Sequence, residues 1–129
     1  MKTKLIPIAV LALTATATPA LAKGGDKNEV RKAGSCSSGA TSKLKLKSDD
    51  GRIEAEFEVD RNVNGEQWRV KFARDGKVVA RATRTTHAPS GSFSVERRLS
   101  DLSGADRITA RGTGPDGRTC TATATLPEG

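Results

Sequence analysis

Tyrosine is absent from this 129-residue chain, tryptophan, histidine and methionine occur once each, cysteine twice and phenylalanine three times. Each scarcity excludes something. Two cysteines and a single imidazole, His87, cannot by themselves supply the four protein ligands of a structural zinc site. No G-x-S-x-G elbow is present, and the Gly-rich stretch from Gly112 to Gly117 lacks the Lys-Ser/Thr that a phosphate-binding loop requires. Asp49, Asp50, Asp101, Asp106 and Asp116 fall in expected turns, but their spacing matches no calcium loop. The sequence therefore predicts no metal, no cofactor and no enzyme. The few aromatics also leave a thin apolar supply for one small core, which favours a covalent staple.

No apolar run is long enough to span a bilayer, for which about 20 residues are needed. The nearest candidate, Leu5 to Leu13, is short and interrupted by Pro7. Preceded by Lys2 and Lys4 and followed by Ala20-Leu21-Ala22, it reads as a secretory signal covering residues 1–22, cleaved after Ala22. Residues 23–28 read as a flexible mature start, and 29–129 as a single domain. With no cysteine at the cleavage site and no Thr-Gly after Leu126-Pro127, neither a lipid anchor nor a sortase anchor is expected. The product is expected to be extracellular, free of the membrane and monomeric.

In an exported chain two cysteines read as one disulfide, Cys36–Cys120. It closes a loop of 84 residues. Chain-entropy reasoning assigns such a loop about 4.5 kcal/mol.

What is present after residue 28 is alternation. Thr41 to Lys47 sets Leu44 and Leu46 on one face and Lys43, Lys45 and Lys47 on the other. Arg52 to Asp60 sets Ile53, Ala55, Phe57 and Val59 against Glu54, Glu56 and Glu58. Asp50-Gly51 suits a two-residue type I′ turn. Closing the hairpin there puts Lys47 opposite Glu54, Lys45 opposite Glu56 and Lys43 opposite Glu58, with Leu46 beside Ala55 and Leu44 beside Phe57. Turn chemistry, hydrophobic alternation and charge select the same register.

Gln67 to Ala73 carries Trp68, Val70 and Phe72 inward, and Asp75-Gly76 turns it into Lys77 to Arg84, where either Val78 or Val79 is expected to face the core. Ser92 to Leu99 buries Phe93 and Val95, with a bulge expected at Arg97-Arg98. Arg107 to Arg111 buries Ile108 and Ala110. Gly114-Pro115-Asp116-Gly117 marks a turn, and Arg118 to Leu126 buries Cys120, Ala122, Ala124 and Leu126 beneath four outward threonines.

About seven strands in about a hundred residues predict an all-β fold, an antiparallel sandwich, with a small closed β-barrel as the alternative. This pattern resembles immunoglobulin-like and fibronectin-type-III-like sandwich domains, and Trp68 stands in a place similar to the core Trp of their third strand. Cys36 lies too far before Trp68 for the inter-sheet disulfide of antibody domains, so the bond is expected to tie an N-terminal segment to the last strand.

The net charge of +7 falls to +5 when Lys2 and Lys4 leave with the signal, below that of a dedicated nucleic-acid binder. In a sandwich, strands 41–47 and 52–60 share one sheet whose outer lysines and glutamates cancel. Strands 67–73, 107–111 and 118–126 share the other, whose outer face carries Arg69, Lys71, Arg107 and Arg111 with no acid among them. That face is the expected anion-binding site, for an anionic polymer or an acidic protein. A competing meander closes a hairpin at Asn64-Gly65 and neutralises Lys71 with Glu58 and Arg69 with Asp60. A second candidate is the loop His87 to Gly91, with His87, Pro89 and Ser90, which suits a small-molecule carrier or an enzyme inhibitor.

Overall fold

A computed structural model describes residues 28–127. The expected signal segment 1–22 and most of the expected flexible start at 23–28 lie outside the described residues. Nine strands follow in order: β1 (Glu29–Ala33), β2 (Ser35–Cys36), β3 (Thr41–Asp49), β4 (Arg52–Asp60), β5 (Gln67–Arg74), β6 (Lys77–Thr85), β7 (Ser92–Ser100), β8 (Asp106–Thr113) and β9 (Thr119–Leu126). They form two antiparallel sheets, β1-β3-β4-β7 and β2-β9-β8-β5-β6, packed as an open sandwich and not closed into a barrel. The order β9-β8-β5-β6 is that of the G-F-C-C′ sheet of variable-type immunoglobulin sandwiches, and Trp68 stands on the strand in the C place.

The β3–β4 hairpin has the expected register throughout: Lys47 opposite Glu54, Lys45 opposite Glu56, Lys43 opposite Glu58, Leu46 opposite Ala55 and Leu44 opposite Phe57. Its turn places Asp50 and Gly51 at φ 51° and 77°, the left-handed pair that a type I′ turn demands.

Two strands beyond the expected seven come from residues 29–36. β1 pairs with β3 in the first sheet and β2 with β9 in the second, so one segment crosses between sheets at Gly34. The crossing is tight. A Cβ at Gly34 would sit 2.5 Å from the Thr121 carbonyl oxygen and 2.8 Å from the Ala122 Cβ, so only glycine fits. Cys36 lies directly opposite Cys120, and the disulfide joins β2 to β9 within the second sheet. The bond thus ties an N-terminal segment to the last strand, as the cysteine spacing implies.

The core between the sheets is Leu44, Leu46, Ile53, Phe57 and Val59 from one side and Trp68, Val70, Phe72, Ile108 and Cys120 from the other, all at most 1% exposed. Trp68 packs against Phe93 with ring centroids 5.9 Å apart. Two glycines make room for it. A Cβ at Gly114 would meet the indole at 2.3 Å, and one at Gly112 would stand 3.3 Å from both Trp68 and Phe57. The indole nitrogen donates to Glu66 Oε1 at 3.2 Å, which also accepts from Arg61 Nε at 3.1 Å.

Four expectations are corrected. No bulge interrupts Arg97-Arg98, since β7 pairs with β4 without a break from Ser92 to Ser100. Arg97 keeps an inward position because β7 is an edge strand: its guanidinium leaves through the open side and donates to the Arg81 carbonyl at 3.1 Å. The register shift lies instead between Phe72 and Ala73, where β6 inserts Val79, so Val78 and Val79 are both exposed and Ala80 and Ala82 face the core. Finally, Asn64-Gly65 closes no hairpin. The Gly65 amide donates to Thr86, β4 takes β7 as its second neighbour, and the chain passes to the other sheet. Asp49 and Asp106 also belong to strands and not to turns.

Candidate functional site

Outward positions on the second sheet follow from the buried ones. Val70 and Phe72 face the core, so Arg69 and Lys71 face out from β5; Ile108 and Ala110 place Arg107, Thr109, Arg111 and Thr113 outward on β8. Ala80 and Ala82 likewise turn Arg81 and Thr83 outward on β6. Cross-strand register then sets neighbours side by side. Arg81 lies opposite Lys71, Lys71 opposite Arg111, Arg111 opposite Thr121, and Thr121 opposite Ser35. One row therefore crosses all five strands, beginning with three cations and ending with two hydroxyls. The adjacent row reads Thr83, Arg69, Thr113, Thr119.

Like charges directly opposite on neighbouring strands are destabilising, and Lys71 has one on each side. No carboxylate relieves them. Asp106 is the only acidic residue in the five strands of this sheet, and it points away from the row. It is 3% exposed and lies 3.3 Å from Arg74 Nε. Among the described residues, no ion pair engages Arg69, Lys71, Arg81, Arg107 or Arg111. All five are exposed, and a shallow depression of about 480 Å³ lies between Arg69, Lys71, Arg81 and Thr83.

No family model, curated protein or solved structure matches this chain. The site is therefore read from its own residues.

Of the four cations expected on this face, the structure brings Arg69, Lys71 and Arg111 together. Arg107 stands farther along β8, opposite Thr125 and separated from Arg111 by Thr109, about 14 Å away at the antiparallel rise. Arg81 completes the cluster and is absent from the expected set. Its signal was the small pair Ala80 and Ala82 alternating with Arg81 and Thr83, which the neighbouring Val78-Val79 obscured.

The loop candidate is ordered differently from a catalytic relay. His87 Nδ1 donates to the Ala88 carbonyl at 3.1 Å, while Ser90 Oγ lies 2.8 Å from Ser92 Oγ. The Gly91 amide donates to the His87 carbonyl, closing the loop on itself, and the Ala88–Pro89 peptide is cis. Trp68, the anchor that an apolar carrier cleft would use, is fully enclosed and lines no open surface. Among the described residues no cluster of three or more His, Cys, Asp or Glu side chains could hold a metal ion, and no helix is long and apolar enough to cross a membrane.

Proposed function

We propose that this chain is a secreted, non-enzymatic binding domain that docks to an anionic partner through the outer face of its second sheet. The observation that carries this reading is the uncompensated row Arg81, Lys71, Arg111. A sheet face kept only for solubility gains by mixing signs, as the outer face of the first sheet does. Here three cations on adjacent strands repel one another with no acid in reach, an arrangement that becomes favourable when an anion lies over it. The extracellular setting is supported by the Cys36–Cys120 disulfide, which suits an oxidising compartment.

The test is retention of the purified domain on a negatively charged support and on insoluble cell-wall material across a salt series. Retention should weaken steeply with salt. It should disappear when Arg69, Lys71, Arg81 and Arg111 are all replaced by Gln, with the near-ultraviolet signal of Trp68 confirming the fold. Retention unchanged in that variant overturns the reading.

A further inference from the structure

The charge face is more specific than a basic patch, because its cations are spaced by the sheet itself. Arg81, Lys71 and Arg111 sit on three neighbouring strands in one register row, so their backbones repeat at about 4.8 Å, perpendicular to the strands. Along the strands the cations are not evenly repeated: β5 has Arg69 and Lys71 two residues apart, whereas on β8 Thr109 separates Arg107 from Arg111. A linear polyanion therefore finds a regular ladder of charge only when it lies across the strands.

The chemistry of the face narrows what that polyanion is. Single-stranded nucleic acid is held by aromatic side chains on which bases stack. Here Trp68, Phe57, Phe72 and Phe93 are all buried, so no aromatic reaches the face. Protein partners are anchored by aromatic or apolar hot spots at the centre of a patch, and this centre is Lys71 between two arginines. Hydroxyls continue the cation rows, Thr83, Thr113 and Thr119 beside Arg69 and Thr121 and Ser35 in the central row, while on the other side of Lys71 the exposed Val78 lies opposite Ala73, which faces Thr109. Cations in a ladder, flanked by hydroxyl donors and acceptors on a flat surface, match a chain that carries one carboxylate per repeat and hydroxyls between them. Arginine forks pair with carboxylates through two parallel hydrogen bonds.

We infer that the ligand is a linear polyuronate, a 1,4-linked acidic polysaccharide, lying across β6, β5 and β8 with the carboxylates that face the sheet paired to the row of Arg81, Lys71 and Arg111. This inference rests on the reading of the second sheet as an anion-docking face and adds to it the polymer class and its direction.

The experiment is calorimetric titration of the domain with oligogalacturonates of increasing length, with the methyl-esterified oligomers and linear polyphosphate as parallel arms. The acidic oligomers should bind, with affinity rising with length until the oligomer spans the row from Arg81 to Arg111, and the esterified ones should not. Polyphosphate should bind at least about tenfold more weakly at matched charge. Lys71→Gln, at the centre of the row, should weaken oligogalacturonate binding about tenfold, the loss expected for one charge-assisted hydrogen bond. Arg107→Gln, outside the row, should change it less than about twofold. Equal losses from the two variants, or equal affinity for polyphosphate, overturn the polyuronate assignment while leaving anion docking standing. Absence of binding to every polyanion overturns both. The Trp68 near-ultraviolet signal and the denaturation midpoint confirm that each variant is folded.

Discussion

On the outer face of the first sheet, Lys45 lies between Arg31 and Glu56; on that of the second, Lys71 lies between Arg81 and Arg111. Both are mid-sheet lysines on outward positions of alternating strands, yet their surroundings differ in kind. The row through Lys45 runs Arg31, Lys45, Glu56, Glu96, two cations facing two acids, and the next row runs Glu29, Lys47, Glu54, Arg98, with the sign changing at every strand. Lys43 and Lys45 each reach a glutamate on β4 at 3.4 Å, and Arg98 reaches Glu54 at 3.5 Å and Asp49 at 3.7 Å. These pairs are exposed, so each contributes little to stability. Their effect is to cancel the field of that face and to specify the register. The second face has no such cancellation. Among the described residues no ion pair engages the outward cations Arg69, Lys71, Arg81, Arg107 and Arg111 of that face.

The two sheets also differ in how they are held, and the largest expected effect breaks that difference. Replacing Cys36 and Cys120 by Ala should cost about 4.5 kcal/mol, the loop-closure value for a separation of 84 residues. The loss is read from urea denaturation midpoints. Amide exchange should accelerate first in β2 and β9, with the β3–β4 hairpin keeping its protection longest. Uniform loss of protection across both sheets, or a cost below about 1 kcal/mol, contradicts the role of the bond as the staple of the second sheet.

A smaller effect sharpens the contrast between the faces. Lys71→Glu places a carboxylate between Arg81 and Arg111 and should raise stability by up to about 1 kcal/mol while abolishing polyanion binding. The mirror change, Glu54→Lys, places a cation between Lys47 and Arg98 and should lower stability by about 0.5 kcal/mol without touching binding. Thermal denaturation and the salt-dependent retention assay read the two quantities separately. If Lys71→Glu destabilises the domain, the row of cations is not held at a cost to stability.

The smallest effect concerns the lone carboxylate of the second sheet. Burial pushes Asp106 above its ordinary pKa of 3.8, and a hydrogen bond with Asp101 adds to this, while the Arg74 guanidinium opposes it. The folded state then holds the proton more tightly than the unfolded chain does. Its contribution to stability is complete below 3.8 and is lost as the pH rises through the elevated value. Denaturant midpoints for wild type and Asp106→Asn across the acid range should diverge with that sign, and parallel profiles exclude it.

Much of this was legible in the chain before folding. The register of residues 41–60 was, because a hairpin is local: Asp50-Gly51 sets the turn, the alternation sets the face, and opposed lysines and glutamates remove the remaining choices. The single disulfide and the sandwich were legible for similar reasons. Arg81 was not, because its orientation depends on one inserted residue, Val79, in the pairing of β6 with β5. Arg97 was not, because an inward arginine is tolerated only on an edge strand, and edges are known only once the strand order is known.

By itself, then, the sequence determined the seven strands from β3 to β9, the buried side of each except β6, and that Cys36 and Cys120 hold the ends together. Only the tertiary structure decided that β4 pairs with β7 and not β5, that residues 29–36 serve both sheets through Gly34, and that Arg81, Lys71 and Arg111 form one row. The physical reason is the range of the interactions. Alternation and turn preferences are satisfied within a few residues, whereas strand order is chosen among distant pairings that alternation alone satisfies equally well, and it is settled by how two sheets fill one core.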